Sequence, residues 1–291
     1  MKAFIFPGQG SQFPGMGSEL NKINKAKEMF NKSNEILGFN ISEIMFKGTM
    51  EELKQTNVTQ PAIFIHSIIL SEIIKEFNPD MVAGHSLGEI SALAAAKVIS
   101  FEEGLDLVKT RSEEMQIACE NTNSTMAAVL QLDGDKIEDI CSEIDGIVVP
   151  ANYNCPGQIV ISGELKAIQI ACDKMIENGA RRAIILPVGG AFHSPIMESA
   201  KEKLANKIDQ ITFKKPICPI YQNVSAQPVV NTDILKRNLI EQLISPVKWN
   251  QTIENMIKNG ASNFTEIGPG KVLQGLIKKI NPNVTISSFL L

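Results

Sequence analysis

A serine between two glycines is the residue of this 291-residue chain with the clearest capacity for chemistry. An apolar run at 81–83 leads into Gly84-His85-Ser86-Leu87-Gly88, and small residues at helical spacing follow it. This order predicts a nucleophile elbow, a tight turn between a strand and a helix that exposes a serine hydroxyl in strained geometry. Side chains at the two glycines would collide where the strand and the helix come closest. We therefore expect Ser86 to be a nucleophile, with the N–H of Leu87 aimed at a developing oxyanion.

A serine hydroxyl becomes a good nucleophile when a neighbouring base takes its proton, and the chain holds three histidines. His85 precedes the serine and is expected to point away from it along the end of the strand. His66 lies in an apolar helical stretch, where a buried packing role is expected. His193 stands in a loop with glycines before it and a proline after it, and shaped loops of this kind often carry catalytic residues. Elimination makes His193 the predicted base.

The group that orients His193 is left open by the sequence. The chain contains 32 acidic residues, and no spacing selects one of them as the third member of a triad. A backbone carbonyl can hold the Nδ1 proton of a histidine equally well.

Arg111 lies on the predicted helix that follows the elbow helix. An arginine that points into an acyl site offers a planar fork of donors to a carboxylate. The alternative is a surface ion pair with Glu113 or Glu114, and the residue taken alone favours that alternative.

Two patterns divide the chain into a large and a small unit. Residues 2–6 predict a buried strand that ends in the glycine-rich loop Pro7–Gln12, which lacks the Lys-Ser/Thr ending of a phosphate-binding P-loop. Residues 125–187 alternate as strand, helix, strand, strand, helix, strand, which is the ferredoxin-like order. The predicted fold class is α/β: a large α/β-hydrolase-like domain with a parallel sheet, residues 1–123 and 189–291, carrying an inserted ferredoxin-like (βαββαβ) subdomain, residues 124–188.

Composition narrows the class of protein. Hydrophobic residues make up 44% and charged residues 21% of the chain, as in ordinary globular proteins. The net charge of −4 argues against a nucleic-acid or membrane partner, and no segment is long and apolar enough to span a bilayer. Five cysteines form no Cys-x-x-Cys pair and cannot all pair, so reduced thiols in a cytoplasmic protein are expected. No clustered ligands point to a metal site.

As a set, the motifs of this chain resemble those of malonyl-CoA:acyl carrier protein transacylases, which are acyltransferases of fatty acid synthesis. Each motif alone is weak, but together they run in the family's order over nearly the whole chain. The segments are Phe6–Gln12, Gln60–Ala62, Gly84–Glu89, Lys109–Ser112, Ala191–Ser194, Pro246–Trp249 and Glu266–Leu273.

The resemblance implies a ping-pong acyl transfer. Ser86 would attack the thioester of malonyl-CoA with His193 as general base, giving a malonyl-serine ester. The phosphopantetheine thiol of acyl carrier protein would then take the malonyl group. The backbone N–H groups of Gln9 and Leu87 would form the oxyanion hole, and coenzyme A enters as part of the substrate, so no cofactor is implied.

The resemblance also assigns roles around the catalytic pair. Arg111 would bind the free malonyl carboxylate, and Phe192 would narrow the pocket against branched acyl groups. The backbone carbonyl of Lys248, in the Pro-Val-x-Trp segment, would orient His193. A monomer is expected, and Lys271, Lys278 and Lys279 are candidates for docking an acidic carrier protein.

Two rival functions use the same residues differently. A serine thioesterase or esterase would share Ser86 and His193 and discharge the acyl group to water, but Arg111 favours a charged acyl group over a fatty chain. A non-catalytic docking module would be favoured only if Ser86 or His193 were missing. The sequence leaves open a dedicated fatty acid pathway against a polyketide-type one, and the strictness of malonyl selectivity.

Overall fold

The computed structural model describes residues 1–75 and 77–289, which form ten strands and twelve α-helices. The strands are β1 Lys2–Phe6, β2 Met81–Gly84, β3 Ser124–Leu130, β4 Val148–Cys155, β5 Gln158–Glu164, β6 Arg182–Ile185, β7 Ile220–Tyr221, β8 Pro228–Val229, β9 Asn263–Glu266 and β10 Thr285–Ser288. The helices are α1 Asn24–Leu37, α2 Ile41–Lys47, α3 Met50–Lys54, α4 Thr56–Ile73, α5 Gly88–Ala95, α6 Phe101–Asn121, α7 Gly134–Ser142, α8 Leu165–Glu177, α9 Glu198–Asp209, α10 Thr232–Glu241, α11 Trp249–Lys258 and α12 Val272–Ile280.

The larger sheet has six strands in the order β10-β9-β1-β2-β7-β8. All neighbours are parallel except β7 and β8. Phe6, the last residue of β1, lies opposite Gly84, the last residue of β2. The loop after β1 and the turn after β2 therefore leave the sheet side by side at its carboxyl edge, where open α/β sheets place their ligand sites.

Both faces of this sheet are buried, as expected for parallel strands covered by helices. Successive residues of β1 alternate between two cores because side chains of a strand point to opposite faces. Phe4 and Phe6 pack with residues of α4, α6 and α9. Ala3 and Ile5 pack on the other face with residues of α11 and α12.

The smaller sheet is antiparallel throughout, with the strand order β4-β5-β3-β6. It has its own core, formed with α7 and α8. Val247, in the segment before α11, is bonded to β4 by hydrogen bonds in both directions, from Tyr153 N–H (2.9 Å) and to Ala151 O (2.8 Å). This contact ties the small sheet to the large unit beside the carboxyl edge of the large sheet.

Two features are absent from the described residues. Within 1–75 and 77–289, no helix is long and apolar enough to cross a membrane. In the same part of the chain, no three histidine, cysteine or acidic side chains come together in a group that could hold a metal ion.

Candidate active site

The turn between β2 and α5 has the geometry of a nucleophile elbow. Ser86 has a φ of 52°, in the left-handed region that costs an L-residue roughly 1 kcal/mol or more. A Cβ on Gly84 would lie 1.9 Å from the backbone of Gly88, and a Cβ on Gly88 would lie 2.1 Å from the carbonyl oxygen of Phe6. Only glycine fits at these two positions, for the reason that the sequence predicted.

His193 lies directly beside the serine. Its Nε2 is 2.7 Å from Ser86 Oγ, and its Nδ1 is 2.8 Å from the carbonyl oxygen of Gln242. A carbonyl can only accept, so Nδ1 carries the proton and Nε2 is free to accept the serine proton. Burial, with the nearby positive charge of Arg111, lowers the pKa of His193 to about 3. The imidazole is therefore neutral at ordinary pH, the state that a general base needs.

The prediction that Lys248 orients His193 is wrong, because the orienting carbonyl is that of Gln242. The Lys248 carbonyl instead accepts from the N–H (2.9 Å) and the hydroxyl (2.8 Å) of Thr252 in the first turn of α11. Gln242 follows the last residue of α10 and is fully buried. No side-chain signal could have singled it out, since the contact uses the main chain.

Arg111 projects from α6 into the site and is 1% exposed. Its Nη2 donates to Ser86 Oγ and to Gln242 Oε1, both at 3.2 Å, and its Nη1 donates to Gln60 Oε1 at 2.6 Å. Within the described chain, Nε has no hydrogen-bond partner. Burial lowers the pKa of Arg111 to about 10, an effect that the charge of Glu89 opposes, so the side chain stays cationic.

A surface ion pair is therefore the wrong interpretation of Arg111. Its three hydrogen-bond partners are neutral oxygens, and no salt bridge of the described residues includes it. A buried charge without a bonded counter-ion is costly, and an anionic group placed beside it would offset that cost. The site is thus built to receive an anion next to the serine hydroxyl.

A cavity of about 180 Å³ opens onto these three side chains. The predicted oxyanion residues Gln9 and Leu87 line it, as does Phe192. Neither the backbone N–H of Gln9 nor that of Leu87 donates a hydrogen bond within the described residues, so both stay available to a ligand. Four residues of the small sheet also line the cavity, Met126, Asn152, Asn154 and Val160, and so do Leu186 and Val188 from the segment just after β6.

Comparisons with known proteins agree with this geometry. Residues 3–284 match the family described as "Acyl transferase domain". The chain is 43% identical over 290 residues to the "Malonyl CoA-acyl carrier protein transacylase" of Staphylococcus aureus (strain MSSA476), covering 98% of this chain and 94% of that protein. This chain belongs to the acyl transferase family. The protein of the same name from Bacillus subtilis (strain 168) is 45% identical over 285 residues, covering 96% of this chain and 90% of that protein.

Solved structures place this acyltransferase in the same group. The crystal structure of an acyl-carrier-protein-S-malonyltransferase from Bartonella henselae superposes with a TM-score of 0.95 at 37% identity, covering 99% of this chain and 94% of that one. A malonyl-transacylase in complex with a type II PKS acyl-carrier protein gives a TM-score of 0.94 at 36% identity, covering 99% and 94%. The resemblance predicted from the motifs is confirmed.

The other two histidines of this acyltransferase are not bases for Ser86. His85 Nε2 lies 2.9 Å from Asn154 Oδ1 on β4, and its ring packs edge-on against Trp249. It turns away from the serine, as predicted, and links the elbow to the small sheet. His66 is buried in α4, where burial lowers its pKa to about 4.

Sequence reasoning missed three buried polar residues around the elbow of this acyltransferase. One is Gln242, whose Nε2 donates to Ser86 O at 3.1 Å, and the others are Asn223 and Glu89. Asn223, just beyond β7, bonds to the backbone of Gly84 and Ser86, and Glu89 in the first turn of α5 bonds to Asn223. Glu89 lies within the serine motif, so its position was visible in the sequence. The role of Asn223 depends on the pairing of β7 with β2, which the sequence does not reveal.

Proposed function

We propose that this acyltransferase moves the malonyl group of malonyl-CoA to the phosphopantetheine thiol of acyl carrier protein, through a malonyl ester on Ser86. The observation that carries this proposal is the buried guanidinium of Arg111, with Nη2 at 3.2 Å from Ser86 Oγ. A malonyl ester bears a carboxylate one methylene beyond the ester carbonyl, within reach of such a fork. The names of the similar proteins support the same substrates.

In the proposed acylation, His193 Nε2 takes the proton of Ser86 as Oγ attacks the thioester carbonyl. The resulting oxyanion accepts hydrogen bonds from the backbone N–H groups of Gln9 and Leu87, each donor contributing on the order of 100-fold in rate. When the tetrahedral intermediate collapses, the carbon–sulfur bond breaks and His193 returns the proton to the leaving thiolate of coenzyme A. Transfer to the carrier runs in reverse: His193 takes the thiol proton, and Ser86 regains it as the ester breaks.

Substrate binding would also make the base stronger. The positive charge of Arg111 is the second-largest cause of the low pKa of His193, after burial. A malonyl carboxylate on Arg111 neutralises that charge, so the pKa of His193 rises toward the range in which a general base works well. An uncharged acyl group leaves the base weak, which adds to the selectivity for malonyl.

Phe192 is proposed to limit the size of the acyl group. It is 7% exposed, lines the cavity and precedes His193. Met115 and Leu186 line the same cavity, and the three side chains together would restrict the space for a branch on the methylene carbon.

Measuring the mass of the intact protein after brief exposure to malonyl-CoA tests the function, with Ser86→Ala as control. We expect one malonyl adduct on the wild type alone, stable in buffer and lost when holo carrier protein is added. Release of coenzyme A without an adduct would mean rapid hydrolysis and support a thioesterase. An adduct of equal yield on Ser86→Ala would show that another residue is the nucleophile.

We also propose the finer description of the fold. Antiparallel order β4-β5-β3-β6, with one helix before β4 and one after β5, supports a ferredoxin-like subdomain at 124–188. The parallel sheet with an elbow after β2 supports a hydrolase-like large domain at 1–123 and 189–291. The reaction as proposed uses no cofactor, and the cytoplasmic location and monomeric state stay predictions.

A further inference from the structure

A network of fully buried polar side chains lies beneath the nucleophile. Glu89, Gln222, Asn223 and Gln242 are each 0% exposed. Polar groups this deeply buried are costly unless they are hydrogen-bonded. Here they bond to one another and to the backbone of the elbow, and the mechanism above uses only Gln242 among them.

The side chain of Asn223 makes two hydrogen bonds to the backbone of the elbow. Its Oδ1 accepts from the N–H of Ser86 at 2.8 Å, and its Nδ2 donates to the carbonyl of Gly84 at 2.7 Å. β7 ends at Tyr221, paired with Ala83, so the ladder between β7 and β2 stops just before the elbow. The side-chain amide of Asn223 therefore takes the place of the next strand residue.

These two hydrogen bonds help to fix the direction of the Ser86 side chain. Ser86 is held at a φ of 52°, a conformation that persists only where surrounding contacts determine it. Bonds to Gly84 O and Ser86 N fix the backbone on both sides of His85, and with it the direction of the Cα–Cβ bond of Ser86. A displacement of about 1 Å at a reacting atom can lower a rate about 100-fold.

Glu89 in turn holds Asn223. Its Oε2 accepts from the backbone N–H of Asn223 at 2.7 Å, and its Oε1 accepts from Gln222 Nε2 at 3.1 Å. Both oxygens face donors, which suits a carboxylate, whereas a protonated carboxyl would turn an O–H toward one of those N–H groups. Gln242 Nε2 completes the network by donating to Asn223 Oδ1 (3.2 Å) and Ser86 O (3.1 Å).

We propose that Asn223 is a positioning residue for the nucleophile and that the carboxylate of Glu89 holds Asn223 in place. The inference rests on the proposed function, in which Ser86 is the attacking group. Ionisation of Glu89 then becomes a condition for fast acylation, because a protonated Glu89 releases one of the two donors that it holds.

The surroundings of Glu89 indicate the pH range in which it ionises. Burial raises the pKa of Glu89 to about 7, and the donors of Asn223, Gln222 and Gln242 and the charge of Arg111 limit the rise. Arg111 on α6 is the charged group that acts on Glu89, while the segments just after β7 and α10 present the neutral side chains of Gln222, Asn223 and Gln242 to it. In the free enzyme the His193 base, with its pKa of about 3, does not titrate in this range. Because bound malonyl would raise that pKa, the pH dependence is read at subsaturating malonyl-CoA, where the rate reports on the free enzyme.

The test measures the first-order rate of malonyl-serine formation at saturating malonyl-CoA, by rapid quench and intact mass. The pH dependence is measured on the second-order rate at subsaturating malonyl-CoA, which reports on the free enzyme. The variants are Asn223→Ala, Asn223→Asp, Glu89→Gln and the double variant Asn223→Ala with Glu89→Gln. The final adduct yield counts the correctly folded sites, so the rate reports on positioning even in a less stable variant. Glu266→Gln is the matched control: Glu266 is also 0% exposed and also accepts two hydrogen bonds, from Leu273 N and Gln274 N, but at the start of α12.

We expect Asn223→Ala and Glu89→Gln each to slow acylation about 10- to 100-fold. Because Glu89 acts through Asn223, the double variant should be no slower than Asn223→Ala alone, within about threefold. Asn223→Asp keeps an acceptor for Ser86 N–H but loses the donor to Gly84 O, so an intermediate rate is expected. The wild type and Glu266→Gln should lose rate as the pH falls through about 7, and Glu89→Gln should not.

Several results would overturn the inference. Wild-type rates in Asn223→Ala would remove its positioning role, and multiplied effects in the double variant would separate Glu89 from Asn223. If Glu266→Gln slowed acylation as much as Glu89→Gln, both effects would be explained by a general loss of protein stability and not by positioning of the nucleophile. An acid limb that survives in Glu89→Gln would assign it to another group. Failure of the wild type to form any malonyl adduct would instead refute the proposed function.

Discussion

In the proposed function, Arg111 is the residue that selects the acyl group. A buried guanidinium facing a serine hydroxyl, with Nε unbonded in the described structure, is a poor arrangement for an empty site and a good one for a carboxylate. Its neighbours Gln60 and Gln242 hold the fork in place through neutral oxygens, so they leave its charge available to a ligand.

Arg111→Ala should therefore lower kcat/KM for malonyl-CoA about 100-fold or more, since hydrogen bonds to a charged group contribute about 1.5–3 kcal/mol each. Relative use of acetyl-CoA should rise, because no buried cation is left unpaired. Arg111→Lys is the control that keeps the charge and removes the fork, with a smaller loss expected. Unchanged discrimination between the two thioesters in Arg111→Ala would contradict this role.

The protonation of His193 provides a second prediction. Burial and the charge of Arg111 both favour the neutral imidazole, so His193 should stay unprotonated to well below its ordinary pKa of 6.5. Removing the charge in Arg111→Ala should raise the His193 pKa, and binding of malonyl should raise it in the wild type. Imidazole ¹⁵N shifts followed over pH in a protein labelled at its three histidines measure this directly. A His193 that titrates near 6.5 in the free wild type would contradict the expected direction.

The elbow and the β1 loop form one structural element because their backbones touch. Gly88 lies against the carbonyl of Phe6, and Gly8 lies against the carbonyl of His85, where a Cβ would approach to 2.4 Å. The two proposed oxyanion donors, Gln9 and Leu87, come from the two sides of this contact. Their spacing is thus set by how closely β1 and β2 leave the sheet.

Gly88→Ala should break this arrangement. A Cβ at 2.1 Å from a backbone oxygen cannot be relieved by a side-chain rotation, so we expect a loss of about 3 kcal/mol in the free energy of unfolding and of most activity. Gly275→Ala in α12 is the control, because a Cβ there meets nothing within 4 Å. Alanine should stabilise that exposed helix by up to about 1 kcal/mol. Thermal unfolding of both variants measures the difference, and equal melting temperatures would refute the steric account.

His193, the proposed base, lies on the segment that leads from the small sheet back to the large unit. β6 ends at Ile185, and the chain crosses back through Gly190, where a Cβ would lie 2.2 Å from Cys119 Sγ, before it reaches His193 at a φ of 58°. The proposed nucleophile thus follows a strand of the large sheet, whereas the proposed base lies eight residues after the last strand of the small one. Hydrogen bonds of β4 with Val247 and of Asn154 with His85 connect the small sheet to the large unit.

Charge on the molecule as a whole is uneven. The net charge is −4, yet an indentation of about 370 Å³ at the outer end of the small sheet is lined by three basic side chains, Arg181, Arg182 and Lys279, and by no acidic one of the described residues. β3 reaches from this indentation, at Leu130, to the catalytic cavity, at Met126. Of the three lysines proposed from composition, Lys279 lies here, whereas Lys271 lines a different cavity with Phe13 and His66.

An acidic carrier protein is expected to dock at this basic indentation. Arg182→Glu combined with Lys279→Glu should raise the KM for carrier protein about tenfold and leave acylation by malonyl-CoA unchanged. Lys203→Glu, an exposed position on α9, serves as the control for added negative charge. Added salt should weaken the wild type more than the double variant, because screening acts on exposed charges. A KM independent of both salt and charge reversal would exclude this surface.

Some site residues and elements could be predicted from the sequence alone. Ser86 could be predicted as the nucleophile because an elbow demands glycines at fixed positions, and His193 as the base because the chain holds only three histidines. The strand and helix order of residues 124–188 followed from hydrophobic periodicity, which is local. Arg111 needed the family resemblance, since its own neighbours Glu113 and Glu114 favoured a surface pair.

Contacts between segments that are distant in sequence could be seen only in the tertiary structure. The carbonyl of Gln242 carries no side-chain signature, so nothing distinguished it from that of Lys248 until α11 was seen to use the latter. Asn223 meets Gly84 across 139 positions of sequence because β7 pairs with β2, and Glu89 joins them because α5 begins there. Local patterns identify groups that react, whereas the groups that aim them are selected by strand order and close packing, which arise from the whole chain.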